Sequence, residues 1–286
     1  MPQIAGSRTF PAPKPFLKWA GGKRQLLPHI LANLPDGWED MVYHEPFLGG
    51  GAVLFELSPG SAVVSDANSE LMNAYKALSR DPSKVIACLK ELRKDLSPER
   101  FYEVRGMDRL PGFRRLPSHE RAARLIYLNR TCYNGLYRVN ALGHFNVPLG
   151  RYAAPRVLDE EGLRAVARYL RKAKVRLLSE DFGHVAMVAG EGSFVYFDPP
   201  YHGSSETFTH YQSAGFSEDE QIRLKALFEE LTRKGAKCLL SNADTPFIRD
   251  LYKRRGFRIV DVQAMRAINS KADGRGRVGE VLVRNY

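Results

Sequence analysis

The chain has 286 residues, 44% hydrophobic and 26% charged, the proportions of a soluble globular protein with room for one large domain or one domain carrying an insertion. No run reaches membrane-span length, residues 1–14 lack the apolar core of an export signal, and Cys88, Cys132 and Cys238 form neither a zinc set nor a disulfide framework. Reduced thiols of this kind fit a cytoplasmic protein, and the net charge of +11 points to a polyanionic partner.

Residues 1–15 hold four prolines and read as a loose arm. Phe16-Leu17-Lys18-Trp19-Ala20-Gly21-Gly22-Lys23 invites a phosphate-loop reading. That reading fails, because Leu17 stands where the first glycine belongs and Arg24 replaces the Ser or Thr. The segment reads better as a turn offering Lys23 to a carboxylate and the Trp19 face to an apolar or cationic group, such as a sulfonium. Met41 to His44 is a strand. Glu45-Pro46-Phe47-Leu48-Gly49-Gly50-Gly51 comes next as a glycine turn that lets backbone approach a ligand before a helix begins. Ser61 to Ser65 is the next strand. Asp66, just beyond it, can accept both hydroxyls of a ribose or can cap a helix.

Ser69 to Leu78, Pro82 to Leu96, Pro98 to Arg105 and His119 to Asn129 read as helices, making 70–158 a mostly helical block. Between Arg100 and Arg156 stand eleven arginines, no lysines and three acids. Arginine's planar fork suits phosphates and guanine edges, and a solvated basic face is the plainer alternative. Residues 133–148 place aromatic, Asn and Arg side chains around Gly135 and Gly143, as in a hairpin.

Alternation then returns: helix Gly162 to Ala173, strand Val175 to Leu178, strand Phe194 to Phe197, helix Glu218 to Lys234, strand Lys237 to Leu240 and helix Pro246 to Arg255. The stretch His202 to Gly215 reads as a lid. Phe257 to Met265 and Glu280 to Asn285 are strands joined by the basic loop Lys271 to Gly279, too short for a helix. The pattern predicts an α/β fold with a doubly wound, mostly parallel sheet, a terminal antiparallel hairpin and an inserted helical domain.

The sharpest motif is Asp198-Pro199-Pro200-Tyr201, directly after the apolar run Phe194-Val195-Tyr196-Phe197. Two prolines end the strand and stiffen the backbone at its exit. An acid, a rigid carbonyl and an aromatic ring are thus left at the strand's C-terminal end. An exocyclic amine can donate to the Asp198 carboxylate and the Pro199 carbonyl while the Tyr201 ring stacks on its base. None of the cysteines stands directly after a proline, which disfavours attack on cytosine C6.

The ordered set Lys-Trp-Ala-Gly-Gly-Lys, Glu-Pro-Phe-x-Gly-Gly-Gly, Asp66-x-Asn68, an insertion and Asp-Pro-Pro-Tyr resembles the Dam-type (D12 class) DNA adenine-N6 methyltransferases. Leu128-Asn129-Arg130, Tyr133-Asn134-Gly135-Leu136, Phe145-Asn146-Val147-Pro148, Gly150-Arg151-Tyr152, Ser241-Asn242 and Glu280-Val281-Leu282 are similar too, so the match spans about residues 15–286. The resemblance implies a Rossmann-like catalytic domain over 1–69 and 159–286, with a target-recognition domain inserted at 70–158. It implies S-adenosylmethionine as cofactor, near Trp19, Lys23, Phe47, Gly49, Asp66, Asp181, Phe182 and Asp198. It implies a catalytic set of Asp198, Pro199 and Tyr201, duplex DNA as partner, no metal, and base flipping before transfer; nothing in the sequence requires more than a monomer, and the oligomeric state stays open. In the family the hairpin reads GATC. Arg138 stands where an arginine meets guanine, Leu136 and Pro148 match its apolar contacts, and Tyr133 and Asn134 its groove-inserted pair. Three readings compete: cytosine N4 as acceptor, an RNA or protein-glutamine substrate, and a DNA-binding regulator without turnover.

Overall fold

The computed structural model describes residues 11–19, 21, 23, 25–203, 216–265 and 277–286. Most of the expected lid and of the loop before the last strand lies outside them, as do residues 1–10 of the arm.

Seven strands form one sheet in the order β3-β2-β1-β4-β5-β7-β6. They are β1 Val42–Glu45, β2 Ala62–Ser65, β3 Arg176–Leu178, β4 Ser193–Phe197, β5 Lys237–Ala243, β6 Arg258–Met265 and β7 Arg277–Arg284. The first five in spatial order run parallel, and β7 pairs antiparallel with both β5 and β6. The expected mostly parallel sheet with an antiparallel C-terminal hairpin is therefore what the chain forms. The hairpin is longer than the sequence pattern predicts: β7 begins at Arg277, opposite Met265, and β5 runs on to Ala243, opposite Glu280.

Side-chain alternation along each strand divides the interior. Phe194 and Tyr196 of β4, Leu239 of β5 and Leu282 of β7 face one core. Val195, Phe197, Cys238, Leu240, Val281 and Val283 face the other. Burial on both faces explains why these strands read as unbroken apolar runs.

The second core is closed by α8 Glu218–Arg233 and α9 Pro246–Tyr252. Helix α8 starts at Ser217, whose hydroxyl accepts from the Glu220 amide, with three acids in its first turn. The first core is closed by α1 Leu27–Leu31, α2 Ala52–Leu57, α3 Ser69–Arg80, α4 Pro82–Leu92, α5 Pro98–Gly106, α6 Ser118–Thr131 and α7 Glu160–Lys172. The buried residues of α3, α4 and α6 are continuous with those of β1, β2 and α7. Helix α6 is buried along most of its length and is the block's central post.

Helix α4 stops at Leu92 rather than Leu96, because the Asp95 side chain accepts from the Ser97 amide and Ser97 caps α5. Helix α9 stops at Tyr252, since Lys253 leaves helical ψ before Gly256. Helix α1 is not expected from the sequence pattern; it is one turn, carrying Pro28 at its start. Among the described residues no helix is long and apolar enough to cross a membrane.

Candidate active site

In a parallel sheet the strand order reverses beside the first strand, and the two loops there part to leave a crevice. Here the reversal lies between β1 and β4. The glycine turn comes after β1 and Asp198 after β4, so both flank the crevice. Asp66 lies just past β2 and Asp181 just past β3. The row Asp181, Asp66, glycine turn and Asp198 thus crosses four neighbouring strand ends, roughly 15 Å at strand spacing.

At Asp198 the polar groups form one connected set. Lys23 Nζ lies 2.7 Å from Asp198 Oδ1 and donates to the Gly21 carbonyl at 2.9 Å. The same ammonium sits 4.6 Å from the centre of the Tyr201 ring. Ser241 Oγ donates to Asp198 Oδ1 at 3.1 Å and is in hydrogen-bond contact with the Tyr196 hydroxyl at 3.0 Å. The Tyr201 hydroxyl donates to Glu280 Oε2 on β7 at 3.1 Å. The Pro200 carbonyl accepts from Gln221 of α8, whose amide oxygen accepts from Asn242. The motif is therefore held from three elements, by α8 at its backbone and by β5 and β7 at its side chains.

Burial raises the Asp198 carboxyl above the usual carboxylate range, against the pull of Lys23 and Ser241. Burial alone lowers the Lys23 ammonium, but Asp198, Tyr201 and Glu280 outweigh it and lift the group above its ordinary value. Lys23 therefore stays charged, and its ammonium satisfies the carboxylate beneath the ring. Glu45 lies nearby, buried, accepting from the Tyr43 hydroxyl at 2.9 Å; burial raises its pKa.

Asp66 is fixed by two backbone donors: Gly49 N–H to Oδ2 and Asn68 N–H to Oδ1, both at 2.9 Å. These use one acceptor site on each oxygen and leave further lone pairs for hydroxyl donors. Asn68, not Asp66, caps α3, accepting from the Glu70 and Leu71 amides. The helix-cap alternative for Asp66 is thereby overturned, because the next residue but one does that work. Trp19 lies across the glycine turn so closely that a Cβ at Gly49 would stand 2.9 Å from its ring. Gly49 also has φ of +49°, so two constraints require glycine there.

Phe47, Phe182 and Phe216 form an aromatic cluster, with Phe47 and Phe182 stacked at 5.2 Å. Arg223 of α8 covers the Phe182 ring at 3.9 Å and binds Asp181 through both oxygens at 2.8 and 2.7 Å. That pairing holds the Asp181 carboxyl below its ordinary range. Phe182 itself is buried and Asp181 exposed, so ring and acid present different faces of one loop.

The hairpin after α6 forms as expected. Cys132 bridges Leu149 and Val139 bridges Phe145. Tyr133, Asn134, Arg138 and Pro148 are exposed on it, while Leu136 is half-buried against the core. Asn134 adopts a left-handed φ of +53°, a conformation Asn tolerates. Arg138 Nε donates to Asn146 Oδ1 at 2.8 Å, which leaves the guanidinium's terminal fork outward. The hairpin is held from behind: Asp108 Oδ2 accepts from the Phe145 amide at 2.7 Å and Arg109 donates to the Phe145 carbonyl at 2.9 Å. Buried Asn129 bonds both the Lys18 backbone and the Gly135 carbonyl, tying hairpin base to N-terminal segment.

Not all of the arginine block faces outward. Arg124 is buried on Asp108 and the carbonyls of Val104 and Arg105, Arg121 pairs with Glu70, and Arg130 donates to the Phe16 carbonyl. These arginines are internal fasteners. Arg114 and Arg115 are exposed on a cleft of about 600 Å³ beside the hairpin.

An acid, a ring and a lysine at one strand end, with a glycine turn and a ribose-competent acid beside them, agree with what relatives of this chain are. The family profile described as D12 class N6 adenine-specific DNA methyltransferase matches residues 19–268. The chain belongs to that family. A type II methyltransferase of Lactococcus lactis subsp. cremoris is 42% identical over 275 residues, covering 96% of this chain and 95% of the relative. A type II methyltransferase of Methanocaldococcus jannaschii is 42% identical over 291 residues, covering 96% and 99%. The DNA adenine methylase of Escherichia coli K12 is 34% identical over 272 residues, 93% of each chain. This D12-class chain is therefore an adenine-specific DNA methyltransferase by family, using a methyl donor on a DNA substrate.

Tyr137, Arg223 and, within matched segments, Asn129, Asn146, Ser241 and Glu280 have no role legible in the sequence. Each acts by holding another side chain or a backbone segment. An isolated polar residue in a sequence carries no mark of such a contact.

Proposed function

We propose that this chain methylates N6 of an adenine extruded from duplex DNA, within GATC, using S-adenosylmethionine. The observation that supports it best is the grouping of Asp198, Tyr201 and Lys23 at the crevice. Lys23 Nζ donates to Asp198 while lying over the Tyr201 ring, the place and the bonding pattern suited to an exocyclic amine on a stacked base. The ammonium is thus a stand-in for the target amine, and arrival of the base displaces it.

With the base in place, Asp198 and the Pro199 carbonyl accept the two N–H groups of N6. This draws the nitrogen lone pair out of conjugation and aims it away from the ring plane. Tyr201, braced by Glu280, offsets part of the few kcal/mol that unstacking costs. S-adenosylmethionine supplies the electrophilic methyl carbon when bound. The residues fit it at the ribose, where Asp66 retains acceptor capacity for hydroxyls; at the adenine end the Phe47 and Phe182 rings offer an aromatic surface, while Asp181 is held on Arg223. Much of the rate comes from positioning, since no side chain need form a bond to carbon. Arg138, Leu136 and Pro148 read the site, with Tyr133 and Asn134 entering the groove. Residues 70–158 form the recognition unit, and the chain acts as a monomer without metal.

The test is methyl transfer from labelled S-adenosylmethionine to unmethylated genomic DNA, with base-resolved mapping of the product. N6-methyladenine at GATC is expected, and none with Asp198→Ala. N6-methyladenine at another motif rejects the reading of Arg138 and its neighbours. N4-methylcytosine rejects the acceptor.

A further inference from the structure

The hairpin and the cofactor crevice share a side chain. Tyr137 stacks on Trp19 at 5.4 Å with 26° between the rings. Trp19 in turn lies on the glycine turn, within 3.1 Å of where a Cβ at Gly50 would stand. The Tyr137 phenol is buried enough to be pushed up to about 12, and Tyr137 and Asn68 line one cleft. Asn68 is hydrogen-bonded to Asp66. Tyr137 therefore reaches the loop after β1 through Trp19 and shares a cleft wall with Asn68 of the loop after β2. On its other side it packs edge-on against Phe145, whose backbone is the hairpin's anchor. Its chain neighbours are Leu136 and Arg138, the side chains assigned to DNA.

We propose that Tyr137 is a positioning residue that couples cofactor occupancy to target reading, so that S-adenosylmethionine or its product and a cognate duplex each tighten the other's binding. The inference rests on the function proposed above. A ligand bound over the glycine turn and Asp66 fixes Trp19, which stacks on Tyr137. Close-packed side chains transmit that constraint to the hairpin, which is otherwise held at Phe145 and Gly135. Coupling of this kind is reciprocal, so one factor describes both directions.

The experiment measures the S-adenosylhomocysteine Kd by calorimetry, alone and with a saturating short GATC duplex. The native chain should bind about three- to tenfold tighter with DNA, the factor an aromatic pair is worth. Tyr137→Leu should bring that ratio close to one while cofactor binding without DNA stays within about threefold. Tyr137→Phe, which keeps the ring, should retain most of it. A native ratio of one, or an unchanged ratio in Tyr137→Leu, overturns the inference and leaves the proposed function standing. Failure of the native chain to bind S-adenosylhomocysteine at all overturns both. Hydrogen exchange on the native chain needs no variant: S-adenosylhomocysteine alone should slow exchange at 136–139 and at Phe145. Unchanged exchange there also counts against the coupling.

Discussion

The catalytic crevice and the recognition hairpin are built on opposite rules. In the crevice the polar groups around Asp198 are paired inward: Lys23, 8% exposed, is shared among Asp198, the Gly21 carbonyl and the Tyr201 ring. On the hairpin the side chains that face solvent are left open, with Tyr133 44% exposed and the outer edge of Arg138 free of Asn146. Rigidity there is supplied from behind, through Asp108, Arg109 and Asn129. Chemistry needs groups fixed relative to one another, whereas reading needs donors fixed relative to the scaffold but unsatisfied until DNA arrives.

The strongest test of the inward-paired half is Asp198→Ala. Loss of the acceptor for N6 should lower methyl transfer by about a thousandfold or more. It also strands the Lys23 ammonium in a buried site, which costs about 3 kcal/mol when one partner of such a pair is removed. Radiometric transfer and urea unfolding measure the two effects. A variant that remains stable but inactive would show that Lys23 had already found other partners. An active variant removes Asp198 from the chemistry.

Lys23→Met separates the placeholder from the acid. Burial holds the Asp198 pKa above its ordinary value, and Lys23 opposes that shift. The acceptor role requires the ionised carboxylate, so activity falls as pH drops through this raised pKa. Removing the ammonium raises the pKa further, and the acid limb of kcat/KM moves to higher pH. That limb reports the free enzyme, where Lys23 and Asp198 are in contact. A limb that stays in place means another group titrates there.

The two halves are unequally legible in the sequence. The strands, the glycine turn and the Asp-Pro-Pro-Tyr corner announce themselves because each is a local pattern: an apolar run, a conformational need, a rigid stop. Asp66 is legible only as an acid in the right place, since it is Asn68 two residues later that takes the capping role. The arginine block is legible as charge but not as division of labour. Whether an arginine faces solvent or fastens Asp108 depends on which face of α6 it occupies, as with Arg124. Arg223 and Tyr137 are not legible at all, because their partners Asp181 and Trp19 lie 42 and more than a hundred residues away in the chain.

On the outward-facing half, Arg138→Ala should reduce discrimination at the guanine by about 1–3 kcal/mol, read as the ratio of kcat/KM on GATC to that on duplexes altered at that base. Asn146→Ala should reproduce part of the loss. It frees Arg138 Nε and lets the fork turn, without removing the charge. Equal losses at every position of the site would recast Arg138 as a phosphate contact.

The smallest expected effect separates fasteners from DNA-facing charge. Arg114 and Arg115 are exposed on the cleft beside the hairpin, whereas Arg124 is buried on Asp108. Neutralising a phosphate contact weakens all sequences alike and lowers the slope of log K against log salt by about one per contact. Arg114→Ala and Arg115→Ala should each do so, leaving the GATC preference and the unfolding midpoint unchanged. Arg124→Ala should behave in the opposite way. It removes one of the two guanidinium partners of Asp108, the one on the oxygen that accepts from the Phe145 amide, and leaves only Arg109 at 2.8 Å on the other oxygen, so the hairpin loosens, the protein loses stability, and site preference suffers before overall affinity does. Fluorescence anisotropy across a salt series, paired with thermal unfolding of the same three variants, resolves the two patterns. If Arg114 and Arg115 leave the slope untouched, the duplex does not cross this cleft, and the open half of the molecule is confined to the hairpin itself.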